Sequence, residues 1–235
     1  MLVAAFGDIH GNLPALEAVL RAIDAEGIMT VVCPGDLVAG YPWPNEVVAT
    51  MRARKIPTVQ GVFDRLTLRA HRKAETQRKR LPEALFERVQ WTHAHLRSEH
   101  IEYLRSLPKS CSLMVDTIAI GLCHGTYTSQ SDALHVNDSD ARFMRQREAA
   151  NTRIVIAGRT HAPFHRWVAE TLFVNPGSVG IASERRGQAA YAVIETDAEP
   201  WTVHHRTAAY DTSALESALE ENGLTDPTDF DWEAD

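Results

Sequence analysis

The chain is poor in the features that mark specialised protein classes. It has only three cysteines, Cys33, Cys111 and Cys123, far apart and each in or beside an apolar run. That usage excludes a disulfide framework and a cysteine-rich zinc module, and it predicts buried free thiols. No uninterrupted apolar stretch approaches the roughly 20 residues of a membrane helix. The N-terminal apolar run lacks a preceding basic segment and a cleavage signal. Together these absences predict a cytoplasmic protein without a membrane partner. Excess positive charge is missing as well, the formal net charge being -7. Asp226, Asp229, Asp231, Glu233 and Asp235 supply five of those seven net negatives, so the body is near neutral. A broad field for nucleic acid is not expected, whereas an acidic metal site accepting a nucleotide or another phosphate is compatible with this balance. The sequence also lacks low-complexity tracts, internal linkers and long-period repeats.

What is present is ordinary globular composition, 44% hydrophobic and 23% charged over 235 residues. That length supports one large core. The expected organisation is a single domain over 1–225, with a largely helical segment at 64–107, followed by an acidic tail at 226–235. Leu13 to Ala25 carries apolar residues at helical spacing, with Asn12 as cap and Pro14 in the first turn. Further helices are predicted over Trp43–Met51, Leu66–Arg80, Glu83–Leu107, Ala141–Ala150 and Asp211–Glu221. Short buried strands are predicted at the N-terminus, at Met29–Cys33 and at Ile154–Ala157. The pair Ser110–Val115 and Thr117–Cys123 reads as a hairpin. Ile56–Val59 is a proline-bearing edge candidate. Phe164–Val168, Leu172–Val174, Ala189–Ile194 and Trp201–Arg206 make the last third rich in strand.

Polar residues recur where these strands stop. Asp8, His10, Asp36, His124 and His161 each stand at or just beyond the end of an apolar segment. In open α/β proteins the carboxyl ends of strands are where ligand sites form. Carboxylates with imidazoles suit manganese, iron or zinc. The same residues also allow an Asp–His hydrogen-bond network without metal. His93 and His95 do not share a helix face and are not taken as a metal pair. Ser178 and Ser183 show no Ser-His-Asp arrangement, and no cysteine has support for a covalent mechanism.

The ordered motifs carry a resemblance. Gly7-Asp8-Ile9-His10-Gly11-Asn12, Gly35-Asp36-Leu37-Val38, His124-Gly125 and Gly158-Arg159-Thr160-His161 are the main pieces. Pro44-Asn45-Glu46-Val47-Val48 and Asn175-Pro176-Gly177-Ser178-Val179-Gly180 add to them. On these the chain resembles a calcineurin-like metallophosphoesterase, particularly the compact bacterial phosphodiesterase-like branch, over roughly residues 2 to 206. The resemblance implies an α/β fold with a two-sheet core flanked by helices, four layers in α/β/β/α order. It implies a first metal site from Asp8, His10, Asp36 and His161, with Asp36 bridging to a second metal held by His124. The implied activity is metal-dependent hydrolysis of a phosphodiester or small phosphomonoester.

Two departures bear on that chemistry. The family's third motif usually reads Gly-Asn-His-Asp or Gly-Asn-His-Glu, but here it is Gly61-Val62-Phe63-Asp64. Val62 cannot donate an oxygen to a metal, and Phe63 cannot act as an imidazole. The late motif usually reads Gly-His-Thr-His, and Arg159 replaces its first histidine; arginine has no lone pair for a metal. The departures lead to an expectation of one ion rather than two, manganese or iron, with zinc the further candidate. Arg159 would then replace second-metal charge, pair with Asp36 or contact a phosphate oxygen. His124 would orient substrate or protonate the leaving group. Asp64 would orient His124 or a nearby loop. Asn12 would contact substrate at the rim. The expected partner is a phosphate-containing small molecule or nucleotide. The competing expectation is a phosphate or nucleotide sensor with little or no turnover on the same scaffold.

Overall fold

A computed structural model describes residues 1–181 and 186–232; Ser183 and the last three residues of the acidic stretch lie outside them. In chain order the elements are β1 (Leu2–Ala5), α1 (Leu13–Ala25), β2 (Thr30–Val32), α2 (Pro44–Arg54), α3 (Val62–Arg69), α4 (Ala74–Arg78), α5 (Glu83–His95) and α6 (Ser98–Ser106). The hairpin β3 (Ser110–Val115) and β4 (Ile118–Cys123) precedes α7 (Asp140–Ala150), β5 (Ile154–Ile156), β6 (Phe164–Val168) and β7 (Thr171–Asn175). The long pair β8 (Gln188–Glu195) and β9 (Thr202–Ala209), then α8 (Ser213–Glu221), complete the regular structure before a 3-10 turn at Pro227–Asp229.

The strands form two mixed sheets. One has four strands in the order β2-β1-β8-β9, and the other has five in the order β3-β4-β5-β7-β6. Parallel pairing of β1 with β2 and of β4 with β5 and β5 with β7 sends their carboxyl ends to one side. Period-2 alternation explains the layers. Val3 and Ala5 of β1 join Ile120, Leu122, Ile156 and Val174 in the core between the sheets. Ala4 and Phe6, pointing the other way, pack with Leu16, Val19 and Ile23 of α1. On the far side Val155 and Phe173 pack against Phe143 of α7. The result is the expected four-layer α/β/β/α arrangement.

Three local expectations change. Leu66–Arg80 is not one helix. α3 begins earlier, at Val62, because the Asp64 carboxylate accepts the N–H of Gly61 at 3.0 Å and caps the first turn. It ends at Arg69, where the Ala70 N–H donates to the Thr67 carbonyl at 3.2 Å, three residues back. Glu83–Leu107 also divides. At the break the Asn45 amide donates to the His95 carbonyl at 2.8 Å, and its oxygen accepts the Arg97 N–H at 2.9 Å, serving both helix ends. Ile56–Val59 makes only a bridge through Thr58 to Cys33, because Pro57 has no N–H for a ladder.

Candidate metal centre

The loops after β1, β2, β4 and β5 converge, and their backbones are unusual. Asp8, His10, Asp36, Arg159 and His161 all have positive φ, between 50° and 78°. Left-handed conformations cost a non-glycine residue on the order of 1 kcal/mol or more. The loops hold one another there. The N–H of Asp8 donates to the Gly35 carbonyl at 2.9 Å, and those of Ile9 and His10 donate to the Asp36 carbonyl at 2.8 and 3.0 Å. Gly61 closes in from the third side. A Cβ on it would lie 2.1 Å from Asp36 Oδ1 and 2.3 Å from the Asp36 nitrogen. Gly61→Ala is therefore expected to push the Asp36 loop aside, lowering thermal stability by roughly 3 kcal/mol, as overpacking does, and weakening metal binding; calorimetric melts and metal titration check this.

Asp8, His10, Asp36 and His124 are all essentially inaccessible to solvent, and His161 and Arg159 nearly so. Two groups of metal-capable side chains result. One is Asp8, His10 and His161, and the other is Asp8, Asp36 and His124, the ligand atoms within each group lying within 4.8 Å of one another. His10 Nε2 and His161 Nε2 face each other at 3.0 Å. His124 Nε2 stands 3.1 Å from Asp36 Oδ2. His124 Nδ1 is 2.9 Å from the Pro34 carbonyl. A carbonyl only accepts, so Nδ1 carries a proton and the ring is oriented with Nε2 pointing inward, the usual second contact of a metal-binding histidine. Asp8 Oδ2 is buried with no hydrogen-bond partner among the described residues. Such an orphaned carboxylate oxygen is costly in a protein alone and fits a cation.

The protonation balance agrees. Burial pushes the Asp8 carboxyl up to about 7, against the pull of His124. Burial opposes ionisation of Asp36 too, but the adjoining His124 wins and holds that carboxyl well below its usual range. Burial lowers His10 to about 4 and takes His161 well below its ordinary value, so both imidazoles are neutral near pH 7. At His124 burial is outweighed by the Asp36 and Asp8 carboxylates, which raise the imidazole to about 9, so an ion at that group has to displace its Nε2 proton.

The other expected site residues lie around these groups, Asp64 holding the neighbouring loop. The Asp64 carboxylate accepts the N–H groups of Leu37, Val38 and Gly61 at 2.9, 3.2 and 3.0 Å. It clasps the Asp36 loop to α3 rather than touching His124. Asp64→Ala leaves three buried donors unpaired and is expected to cost about 3 kcal/mol or more, checked by denaturant unfolding. Asn12 is fully buried and donates to the Gly180 carbonyl at 3.1 Å and the Tyr210 hydroxyl at 3.2 Å while capping α1 through Ala15. It is a strut beneath the loops, not a rim contact. Arg159 Nη1 donates to the Trp232 carbonyl at 2.6 Å.

Trp232 is the residue that reading the sequence missed. It belongs to the stretch expected as an acidic tail, yet it is buried. Its ring lies 4.2 Å from that of His10 and 4.8 Å, edge-on, from that of Phe63. The strap leading to it is anchored. Arg88 donates to the Thr225 carbonyl at 2.6 Å and lies over the Phe230 ring, and the Trp232 indole donates to the Pro227 carbonyl at 3.0 Å. The signal was present: Phe230 and Trp232 are aromatic residues in an otherwise polar stretch. Ser178 was also passed over; its hydroxyl donates to the Asp8 carbonyl at 2.8 Å and accepts the Ile181 N–H, steadying the first loop.

Residues 1–199 match the Calcineurin-like phosphoesterase superfamily domain. The chain belongs to that superfamily. The architecture agrees with solved members of the fold. A hypothetical protein from Pyrococcus horikoshii superposes with a TM-score of 0.82 at 22% identity, over 95% of this chain and 94% of that one. A metallophosphoesterase from Sphaerobacter thermophilus gives 0.74 at 24% identity, over 96% and 95%. An uncharacterized protein of Methanocaldococcus jannaschii is 34% identical over 107 residues, 46% of this chain and 42% of its own length. Among the described residues no helix is long and apolar enough to cross a membrane.

Within this calcineurin-like scaffold the expectation of one ion is corrected. Val62 and Phe63 are indeed apolar and buried, but their loss does not abolish a second group of donors. Asp36, His124 and the shared Asp8 remain assembled. Asp8 is common to both groups, and Asp36 Oδ2, expected to bridge, stands 3.1 Å from His124 Nε2 and 4.0 Å from His10 Nε2. The two groups together describe a binuclear centre.

Proposed function

We propose that the chain is a binuclear metal-dependent phosphoesterase that hydrolyses a phosphodiester or small phosphomonoester. The observation that carries this reading is the pair of buried ligand groups sharing Asp8. The donors, three imidazoles and two carboxylates, suit manganese, iron or zinc. When bound, such ions would supply Lewis acidity toward a phosphoryl group and acidify a water for attack. Asp8, His10 and His161 hold one ion in this reading, and Asp8, Asp36 and His124 hold the other. Arg159 binds the phosphoryl oxygens by exchanging the Trp232 carbonyl for them, a stronger charge-assisted partner. The buried walls exclude bulk water, and His124 is kept in one tautomer by Pro34. The free, buried Cys33 and Cys123 suit a reducing compartment such as the cytoplasm.

One observation favours the sensor as a second reading: Trp232 covers His10, so ligand reaches the ions only if the strap moves. The two readings separate by experiment. Protein loaded with manganese, iron or zinc is assayed against bis-p-nitrophenyl phosphate and p-nitrophenyl phosphate, with ion content measured in parallel. Two ions per chain and metal-dependent turnover support the phosphoesterase. Metal-dependent binding of phosphate or nucleotide with no turnover of any ester supports the sensor.

A further inference from the structure

A concentration of basic charge lies outside the metal centre and has no part in the chemistry above. Between residues 65 and 80 the chain places seven lysines and arginines against one acid, Glu75, in a protein of net charge -7. Four of them, Arg65, Arg69, Lys73 and Arg80, line one cavity of about 390 Å³. Thr76 and Ser131 add hydroxyls to its wall, and no carboxylate is among the described residues that line it.

The cavity is built rather than a chance grouping of side chains. Arg65 donates to the Ser131 hydroxyl at 2.7 Å, joining α3 to the loop after β4. The buried Gln77 of α4 donates to the Leu66 carbonyl at 2.8 Å, and Gln90 of α5 donates to the Ala70 carbonyl at 3.3 Å. These bonds fix the turn between α3 and α4 that presents Arg69 and Lys73. Gathering Arg69, Lys73 and Arg80 with no carboxylate among the described lining residues raises the free energy of the empty fold through mutual repulsion, and a bound anion of matching charge relieves it.

We propose that this cavity is a binding site for a compact polyphosphate group, of the kind carried by a nucleotide or by inorganic polyphosphate of a few units. Arg69, Lys73 and Arg80 together exceed what a single phosphate can neutralise, and the volume falls in the range of small-molecule sites, roughly 300–1,000 Å³. No aromatic ring is among the described lining residues, so the stacking platform that single-stranded nucleic acid uses is lacking. The site is close to the metal centre. α3 starts on it, with the Phe63 N–H donating to Asp36 Oδ1 at 2.7 Å, and Arg69 is about 9 Å further along the helix axis. The cavity therefore offers an anchor for phosphates remote from the one at the ions. Its ligand binding does not depend on the hydrolytic reading.

The test uses the full chain stripped of metal, so that a failure of hydrolysis has no bearing on it. Inorganic tripolyphosphate is titrated calorimetrically, alongside orthophosphate and a short oligothymidylate. One tripolyphosphate per chain is expected, weakening with added salt and binding at least tenfold more tightly than orthophosphate. Arg69→Glu with Lys73→Glu is expected to reduce affinity at least tenfold. Arg69→Gln with Lys73→Gln gives a smaller loss and stands in for the glutamate variant if that fails to fold. Arg21→Glu with Lys55→Glu, the same charge change elsewhere on the surface, should leave binding within twofold. Equal loss in the two reversed-charge variants, full binding in the cavity variants, or tighter oligothymidylate binding through Arg69 and Lys73 would each overturn the proposal.

Discussion

Asp8→Asn is expected to empty the metal centre as a whole, whereas His10→Ala and His124→Ala each remove one ion. Asp8 alone belongs to both ligand groups, while His10 faces one and His124 the other. Asparagine keeps the shape but loses the charge that draws two divalent ions together. We expect ion content near zero in Asp8→Asn, near one in each histidine variant, and a fall in kcat/KM for an aryl phosphodiester of roughly a thousandfold or more in Asp8→Asn. Elemental analysis of the purified variants with parallel kinetics is the measurement. An Asp8→Asn protein still holding two ions per chain would remove the basis of the binuclear reading.

The second large effect has opposite signs in two experiments. Trp232→Ala is expected to lower stability by about 3 kcal/mol, as removal of a buried aromatic does, and to raise kcat/KM for a bulky phosphodiester roughly tenfold. The gain follows from population. If the strap must leave His10 before substrate reaches the ions, apparent affinity is reduced by the fraction of molecules that are open. Removing the indole takes away its contacts with His10 and Phe63 and weakens the support for the carbonyl that Arg159 holds. Melting curves and steady-state kinetics on one preparation show both signs. A variant that melts lower and also loses activity would mean that Trp232 supports the site instead of covering it.

Much of this centre was legible in the residues. Asp8, His10, Asp36, His124 and His161 stand where strands stop, and parallel pairing of β1 with β2 and β4 with β5 brings those ends together. Strand ends are readable because the apolar run is local. The ion count was not, because it depends on distances between segments 150 residues apart, such as the 3.0 Å between His10 and His161. Losing donors at Val62 and Arg159 argued for one ion, yet Asp8 lies close enough to serve both groups. The helix breaks were hidden for a related reason. Asn45 ends α5 and starts α6 from a distance of about 50 residues. Trp232 was obscured by its acidic neighbours, since composition describes a stretch and packing is decided by one ring.

The left-handed loops have a consequence for which substitutions the centre tolerates. At Asp8, His10, Asp36, Arg159 and His161 the backbone occupies a region where glycine is the easier residue. A single replacement by glycine at any of them would relax the main chain, and drift toward stability alone would favour it. Five side chains occupy that conformation here, in loops that also contain Gly11, Gly35 and Gly61. The same left-handed backbone occurs away from the centre, at Lys55, Asp116, Asn151 and Ala169, but only in these loops does it bring carboxylates and imidazoles together; a glycine there would ease the main chain and remove a donor at the same stroke.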